Sequence, residues 1–199
     1  MTKSELRKFY LERRRSLFAE EMADKSLQIA DRFFKRFDLS NLANLHCFIP
    51  IKKFNEIDTS LIYKKVWTDF PTVRTIVPRV NRESGEMGNF VFTAETELIK
   101  NEWGIREPWS GKAVDAGAID MVLVPLLCFD ERGYRVGYGK GFYDKFLARC
   151  RPDCLKIGLS YFPPVPKIAD VGGHDVMLDV FVTPIGVLAI HGHENAETR

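Results

Sequence analysis

The sequence predicts a single three-layer α/β/α domain built on a mainly parallel, partly mixed central sheet. Short apolar runs of strand length alternate with amphipathic segments of helical period, the order in which crossover helices cover a sheet. The clearest runs are apolar almost throughout and end at proline or glycine, as strands buried on both faces do. A chain of 199 residues with 45% hydrophobic and 28% charged residues is enough for one substantial core. That domain is expected over 1–190, with 191–199 a disordered tail.

The elements follow in order. Lys3 to Leu17 is expected to be helical, with Leu6, Phe9, Tyr10 and Leu17 on one face. In a second helix, Leu27, Ala30, Phe33, Phe34 and Phe37 recur at three and four residues, and Asp24 is a candidate cap. Leu45–Ile49, closed by Pro50, predicts a buried strand; Thr59–Trp67 predicts a helix; Thr75–Val77, ahead of Pro78, predicts a strand. Asn81–Gly85 is a turn into Met87–Phe92, whose alternation marks a hairpin strand and one antiparallel pair. Gly104–Pro108 is expected to be loop. Ile119–Pro125 is the strongest strand, followed by a helix at Gly141–Cys150 and a strand at Leu155–Ser160. Pro163, Pro164 and Pro166 require an extended loop before a last strand at Val180–Thr183.

Several function classes are disfavoured. No apolar run approaches the roughly 20 residues of a membrane span, and the amphipathic start does not resemble a secretory signal, so the cytoplasm is the expected location and no membrane partner is expected. Cys47, Cys128, Cys150 and Cys154 are scattered and fit free thiols better than a zinc site. The net charge is only +2, and the basic start (Lys3, Arg7, Lys8, Arg13, Arg14, Arg15) is broken or followed by Glu5, Glu12, Glu20 and Glu21. No nucleic-acid partner is expected.

The informative segment is Arg135–Asp144, between an apolar strand and a helix. Gly137, Gly139 and Gly141 alternate there, removing side chains that would keep a polyanion from the backbone N–H groups. Arg135 and Lys140 add full positive charge, and the helix start near Gly141 adds its dipole. Gly141 after the lysine excludes a P-loop, and the spacing is not that of the dinucleotide fingerprint. A phosphate cradle in an enzyme that consumes a nucleoside triphosphate is the expectation. Asp144 follows as either a magnesium ligand or a first-turn carboxylate favouring the helix dipole.

The run Pro125-x3-Phe129-Asp130-x2-Gly133-x-Arg135-x-Gly137-x-Gly139-x-Gly141-Phe142-Tyr143-Asp144 resembles the signature of the 5-formyltetrahydrofolate cyclo-ligase family. Lys3-x3-Arg7, Asn55–Thr59, Asn101-x-Trp103-Gly104-Ile105-x-Glu107-Pro108 and His174-Asp175-x3-Asp179-x3-Thr183 are similar to its other motifs, so the likeness spans nearly the whole chain. The resemblance implies ATP-dependent closure of 5-formyltetrahydrofolate, which can be polyglutamylated, to 5,10-methenyltetrahydrofolate by a monomeric enzyme using Mg2+. It implies that Lys3, Arg7, Arg135, Gly137, Gly139, Lys140, Gly141, Phe142 and Tyr143 bind ATP, with Arg135, Lys140 and Tyr143 catalytic. Ile51, Glu56, Trp103, Tyr138 and Tyr143 would bind the folate, and Asp144 and Asp175 the metal. His174 is expected to be structural, and His191 and His193 are not expected to be ligands. Two departures stand out: Phe142 replaces a tyrosine common in the family, and Ile51–Phe54 is inserted before Glu56. Another ATP-dependent ligase or phosphotransferase on the same fold is the alternative.

Overall fold

The structure, a computed structural model, describes residues 1–81, 84–101 and 104–190. In chain order the elements are α1 (Lys3–Arg15), α2 (Ala19–Arg36), β1 (Asn44–His46), α3 (Ser60–Asp69), β2 (Arg74–Asn81), β3 (Glu86–Phe92), β4 (Leu98–Lys100), β5 (Arg106–Pro108), β6 (Met121–Pro125), β7 (Cys128–Phe129), β8 (Arg135–Val136), α4 (Phe142–Leu147), β9 (Leu155–Leu159), β10 (Val180–Thr183) and β11 (Gly186–Ala189). The main sheet has the order β11-β10-β9-β6-β1-β2-β3. Its five inner strands are parallel, and β3 and β11 pair antiparallel at the two edges.

Along β6, Met121 and Leu123 face a core shared with α1, α2 and α3, while Val122 and Val124 face a second core shared with α4. In β10, Val180 and Val182 join the first core and Phe181 the second. This alternation makes three layers, because both faces of each inner strand must be covered by apolar side chains. The expected fold class is therefore the observed one.

Local details differ from the sequence reading for physical reasons. α1 opens on a capping box between Thr2 and Glu5 and buries Leu6, Tyr10 and Arg14, four residues apart; Phe9 lies off that stripe and is 50% exposed. α2 starts five residues before Asp24, whose carboxylate accepts from the Gln28 side chain within the helix instead of capping it. Its buried stripe runs through Ser26, Ile29, Ala30 and Phe33, leaving Leu27 exposed.

β2 continues through Pro78 to Asn81. Ile76, Pro78 and Val80 turn their backbone away from β3: the Cys47 N–H donates to the Ile76 carbonyl, and the Val80 N–H donates to the Glu107 side chain. β1 has ended before Pro78, so the amide hydrogen that proline lacks has no strand to serve. The expected loop at Gly104–Pro108 contains β5, paired with β4, and β10 is followed by β11. α4 is also shorter than expected, stopping at Leu147.

The strand order reverses between β1 and β6, since β2 lies to one side and β9 and β10 to the other. Crossovers leave a crevice beyond the carboxyl ends of strands at such a point. Phe48 and Ile49, just past β1, and Pro125, ending β6, line a cavity there.

Candidate active site

The cavity has a volume of about 760 Å³. One wall is cationic. β7 and β8 form a tight hairpin whose turn is organised by Asp130, which is fully buried and accepts from the backbone N–H groups of Arg132 and Tyr134 and from the Arg132 guanidinium. The hairpin delivers Arg135 to the cavity, where Nη2 donates to Asp144 Oδ1 at 2.9 Å and Nη1 to the Val176 carbonyl at 2.9 Å. The Val176 N–H donates to the same Asp144 oxygen at 3.1 Å. Arg135, Asp144 and the Asp175–Val176 segment are thus locked together. Burial pulls the Arg135 guanidinium below its ordinary value, and the neighbouring Asp144 carboxylate opposes that loss of charge.

α1 supplies two more cations. Lys3 is ion-paired with Asp175 Oδ2, which also accepts from the Gly172 N–H at 2.6 Å. Burial works against ionisation of Asp175, but the hydrogen bonds from Lys3 and Gly172 and the charges of Lys3 and Arg135 outweigh it and hold its carboxyl below the usual aspartate value. Arg7 Nε donates to the Gly137 carbonyl at 2.9 Å. Its guanidinium lies over Gly139, where a Cβ would sit 3.0 Å from Arg7 Cζ, and Gly139 has φ +86°. Glycine is therefore required at 139 both for its backbone conformation and for the approach of Arg7. Positions 137 and 141 are open, and Lys140 stands exposed on the cavity rim.

The cavity lining also carries a carboxylate and flat rings. The Ile51–Phe54 segment folds into a 3₁₀ turn over Lys52–Phe54, closed by Asn55 at φ +50°. It lays Phe54 against Tyr138, with centroids 5.0 Å apart at 30°, and directs the Ile51 N–H to Glu56 Oε2 at 2.7 Å. The Tyr138 hydroxyl donates to Glu56 Oε1 at 2.6 Å. Burial pushes the Glu56 carboxyl up, opposed by those two hydrogen bonds and by the charge of Arg14.

A family model described as the 5-formyltetrahydrofolate cyclo-ligase family matches residues 1–184. The chain belongs to that family. Among relatives of the cyclo-ligase family, it is 30% identical over 146 residues to 5-formyltetrahydrofolate cyclo-ligase of Mus musculus, covering 70% of each chain. It is 26% identical to that of Mycoplasma pneumoniae, covering 92% of this chain and 98% of the other. The NMR structure of Aquifex aeolicus 5,10-methenyltetrahydrofolate synthetase superposes with a TM-score of 0.79 at 30% identity, covering 100% of this chain and 98% of that one.

Within this cyclo-ligase-family fold, Lys3, Arg7, Ile51, Glu56, Arg135, Gly137, Tyr138, Gly139, Lys140, Gly141, Phe142, Tyr143, Asp144 and Asp175 all line the one cavity. Trp103 lies outside the described residues, as do His191, His193 and the rest of 191–199. His174 is exposed. Among the described residues no helix is long and apolar enough to cross a membrane.

Sequence reasoning missed two contributions. Arg14, read only as part of a basic start, is 2% exposed and donates from Nη1 to the Tyr138 hydroxyl at 3.0 Å. Its position eight residues after Leu6 on the buried stripe was the available signal. The second is a group of buried polar atoms around Tyr143. The Tyr143 ring borders the cavity, but its hydroxyl is buried without a hydrogen-bond partner among the described residues. His46 contacts Tyr143 edge-on; burial pulls its pKa down to about 3, opposed by the Asn89 side chain, so it is neutral.

Proposed function

We propose that this chain catalyses the ATP-dependent closure of 5-formyltetrahydrofolate to 5,10-methenyltetrahydrofolate, releasing ADP and phosphate. One observation carries the reading: a single cavity joins a cationic, glycine-lined wall to a carboxylate faced by stacked aromatic rings. The first suits a triphosphate. The second suits a flat heterocycle with N–H donors. Family membership supplies the substrate class.

The chemical difficulty is that a formamide oxygen is a poor leaving group. In the proposed sequence this oxygen attacks the γ-phosphorus of ATP, the bond to the ADP oxygen breaks, and an iminium phosphate results. The substrate's second amine then attacks the activated carbon and loses its proton. The carbon–oxygen bond breaks and phosphate departs. Phosphoryl transfer of this kind needs positioning and charge neutralisation more than a covalent nucleophile. Lys3, Arg7 and Lys140 supply positive charge along the triphosphate. Arg135, fixed by Asp144 and Val176, presents a guanidinium that need not reorganise during the reaction. Glu56 and Tyr138 orient the folate, and Tyr143, which borders the cavity, sits beside the reacting formyl group.

Asp144 and Asp175 fit Mg2+. Among the described residues each makes its hydrogen bonds through one oxygen, Oδ1 of Asp144 and Oδ2 of Asp175, which leaves the other oxygen of each carboxylate for a cation. Among the described residues no cluster of three or more His, Cys, Asp or Glu side chains is placed for a metal. A cation here would take phosphate oxygens and water as its remaining ligands, the arrangement magnesium favours. When bound, it would neutralise charge on the phosphates.

Polyglutamylated folate, a monomeric state and a cytoplasmic location belong to the same proposal. The test is a rise in methenyl absorbance with ATP and 5-formyltetrahydrofolate, dependent on magnesium and abolished by chelation. Loss of at least about a hundredfold in kcat for Arg135→Ala is expected. Wild-type enzyme that shows no ATP-dependent rise would overturn the reading.

A further inference from the structure

Building on this folate-side reading of Glu56, we infer that Arg14 is a positioning residue that, through the Tyr138 hydroxyl, holds Glu56 as an acceptor-only carboxylate at the cavity wall. The order of donors supports it. A guanidinium has no acceptor, so Arg14 Nη1 donates to the Tyr138 oxygen at 3.0 Å. The single phenolic hydrogen must then point away, to Glu56 Oε1 at 2.6 Å. Oε2 already accepts from the Ile51 N–H. Each oxygen thus accepts one hydrogen bond, an arrangement that favours the ionised carboxylate, and each keeps a further lone pair. The lone pairs that remain are complementary to a ligand edge bearing N–H groups.

Arg14 is also fixed from behind. Its Nη2 donates to the Leu126 carbonyl, just past β6, and its own carbonyl accepts from Asn55 Nδ2 at 3.1 Å. Arg14 therefore ties α1 to the end of β6 through its head group and to the turn carrying Glu56 through its backbone carbonyl, at 2% exposure. The groups that face Glu56 are Arg14 from α1, Tyr138 from the glycine turn, Tyr143 from α4 and Tyr161 beyond β9, with Lys53 on the same cavity wall. Arg14 is the cation whose charge favours the ionised form of Glu56. Burial acts in the opposite sense, so without Arg14 the balance moves toward the protonated acid.

The test combines two readouts. The first is the titration of side-chain carboxyl 13C resonances in the ligand-free protein, with Glu56 assigned by the peak absent from Glu56→Gln. Its midpoint should move to higher pH in Arg14→Met and in Tyr138→Phe, and should return toward wild type in Arg14→Lys, which restores the charge. The second is kcat/KM against pH. For 5-formyltetrahydrofolate the acid limb should move up, giving a loss of about tenfold that deepens as pH falls, with KM for ATP unchanged. Tyr138→Phe leaves the bond to Leu126 intact and carries the test if Arg14→Met does not fold. A Glu56 midpoint unmoved in the folded variants would overturn the inference, as would a pH-independent loss shared by both substrates. If the wild-type enzyme did not turn over these substrates, the proposed function would fall, while the carboxyl titration would still decide the role of Arg14.

Discussion

Replacing Asp144 by alanine separates two roles that its position allows, magnesium ligand and anchor of Arg135. The Arg135 side chain is 5% exposed and that of Asp144 26%. Removing one partner of a sealed ion pair costs about 3–5 kcal/mol, because the other charge is left buried. Here Arg135 keeps its bond to the Val176 carbonyl, and water can reach the Asp144 position, so a cost just below that range, about 2–3 kcal/mol, is expected. With a urea m-value of about 2 kcal/mol/M, the unfolding midpoint should fall by about 1–1.5 M without a change in slope. Asp144→Asn can still accept from Arg135 and Val176 and should lose less, by about half. The pair should also be coupled: Asp144→Ala in an Arg135→Met background should cost at least about 1 kcal/mol less than alone. An Asp144→Ala midpoint equal to wild type, or strictly additive effects in the double variant, would show that the carboxylate does not support Arg135.

Gly139→Ala should destabilise by about 1–2 kcal/mol and raise the KM for ATP, because the methyl meets Arg7 at 3.0 Å on a backbone at φ +86°; Gly137→Ala, with nothing within 4 Å, should change thermal stability far less. Asp175 is held below its ordinary pKa, so its ionisation stabilises the fold above about pH 4, and that contribution is lost as pH falls through the depressed folded value. Acid titration of stability should accordingly be shallower below pH 4 in Asp175→Asn than in wild type, and parallel curves would remove the Lys3 pair as the cause. Gly158→Ala should cost about 1–3 kcal/mol by overpacking, since its Cβ would lie 2.5 Å from the Phe181 ring and 2.8 Å from Leu126 in the sealed core. An unchanged melting temperature would show that Phe181 can move.

The sequence by itself determined the alternating architecture, the inner strands and the glycine-rich, cationic composition of Arg135–Asp144. These are local properties: an apolar run such as Val122–Val124 or a glycine set such as 137, 139 and 141 carries its signal in neighbouring residues. It also carried enough ordered motifs to suggest the family. β4 and β5 escaped because a three-residue strand has no period to detect, and β11 escaped because four residues after a turn at Pro184–Ile185 barely show one. At the site, only the tertiary structure decided which charges meet. Arg14 and Tyr138 are 124 residues apart in sequence, Tyr138 and Glu56 82 apart, and Lys3 and Asp175 172 apart. Asp144, for which the spacing left a metal or a helix dipole, is the partner of Arg135, and Gly139 is glycine because Arg7 lies on it. Periodicity and backbone sterics act within a few residues, whereas the state of a buried charge is set by whichever distant group the fold brings beside it.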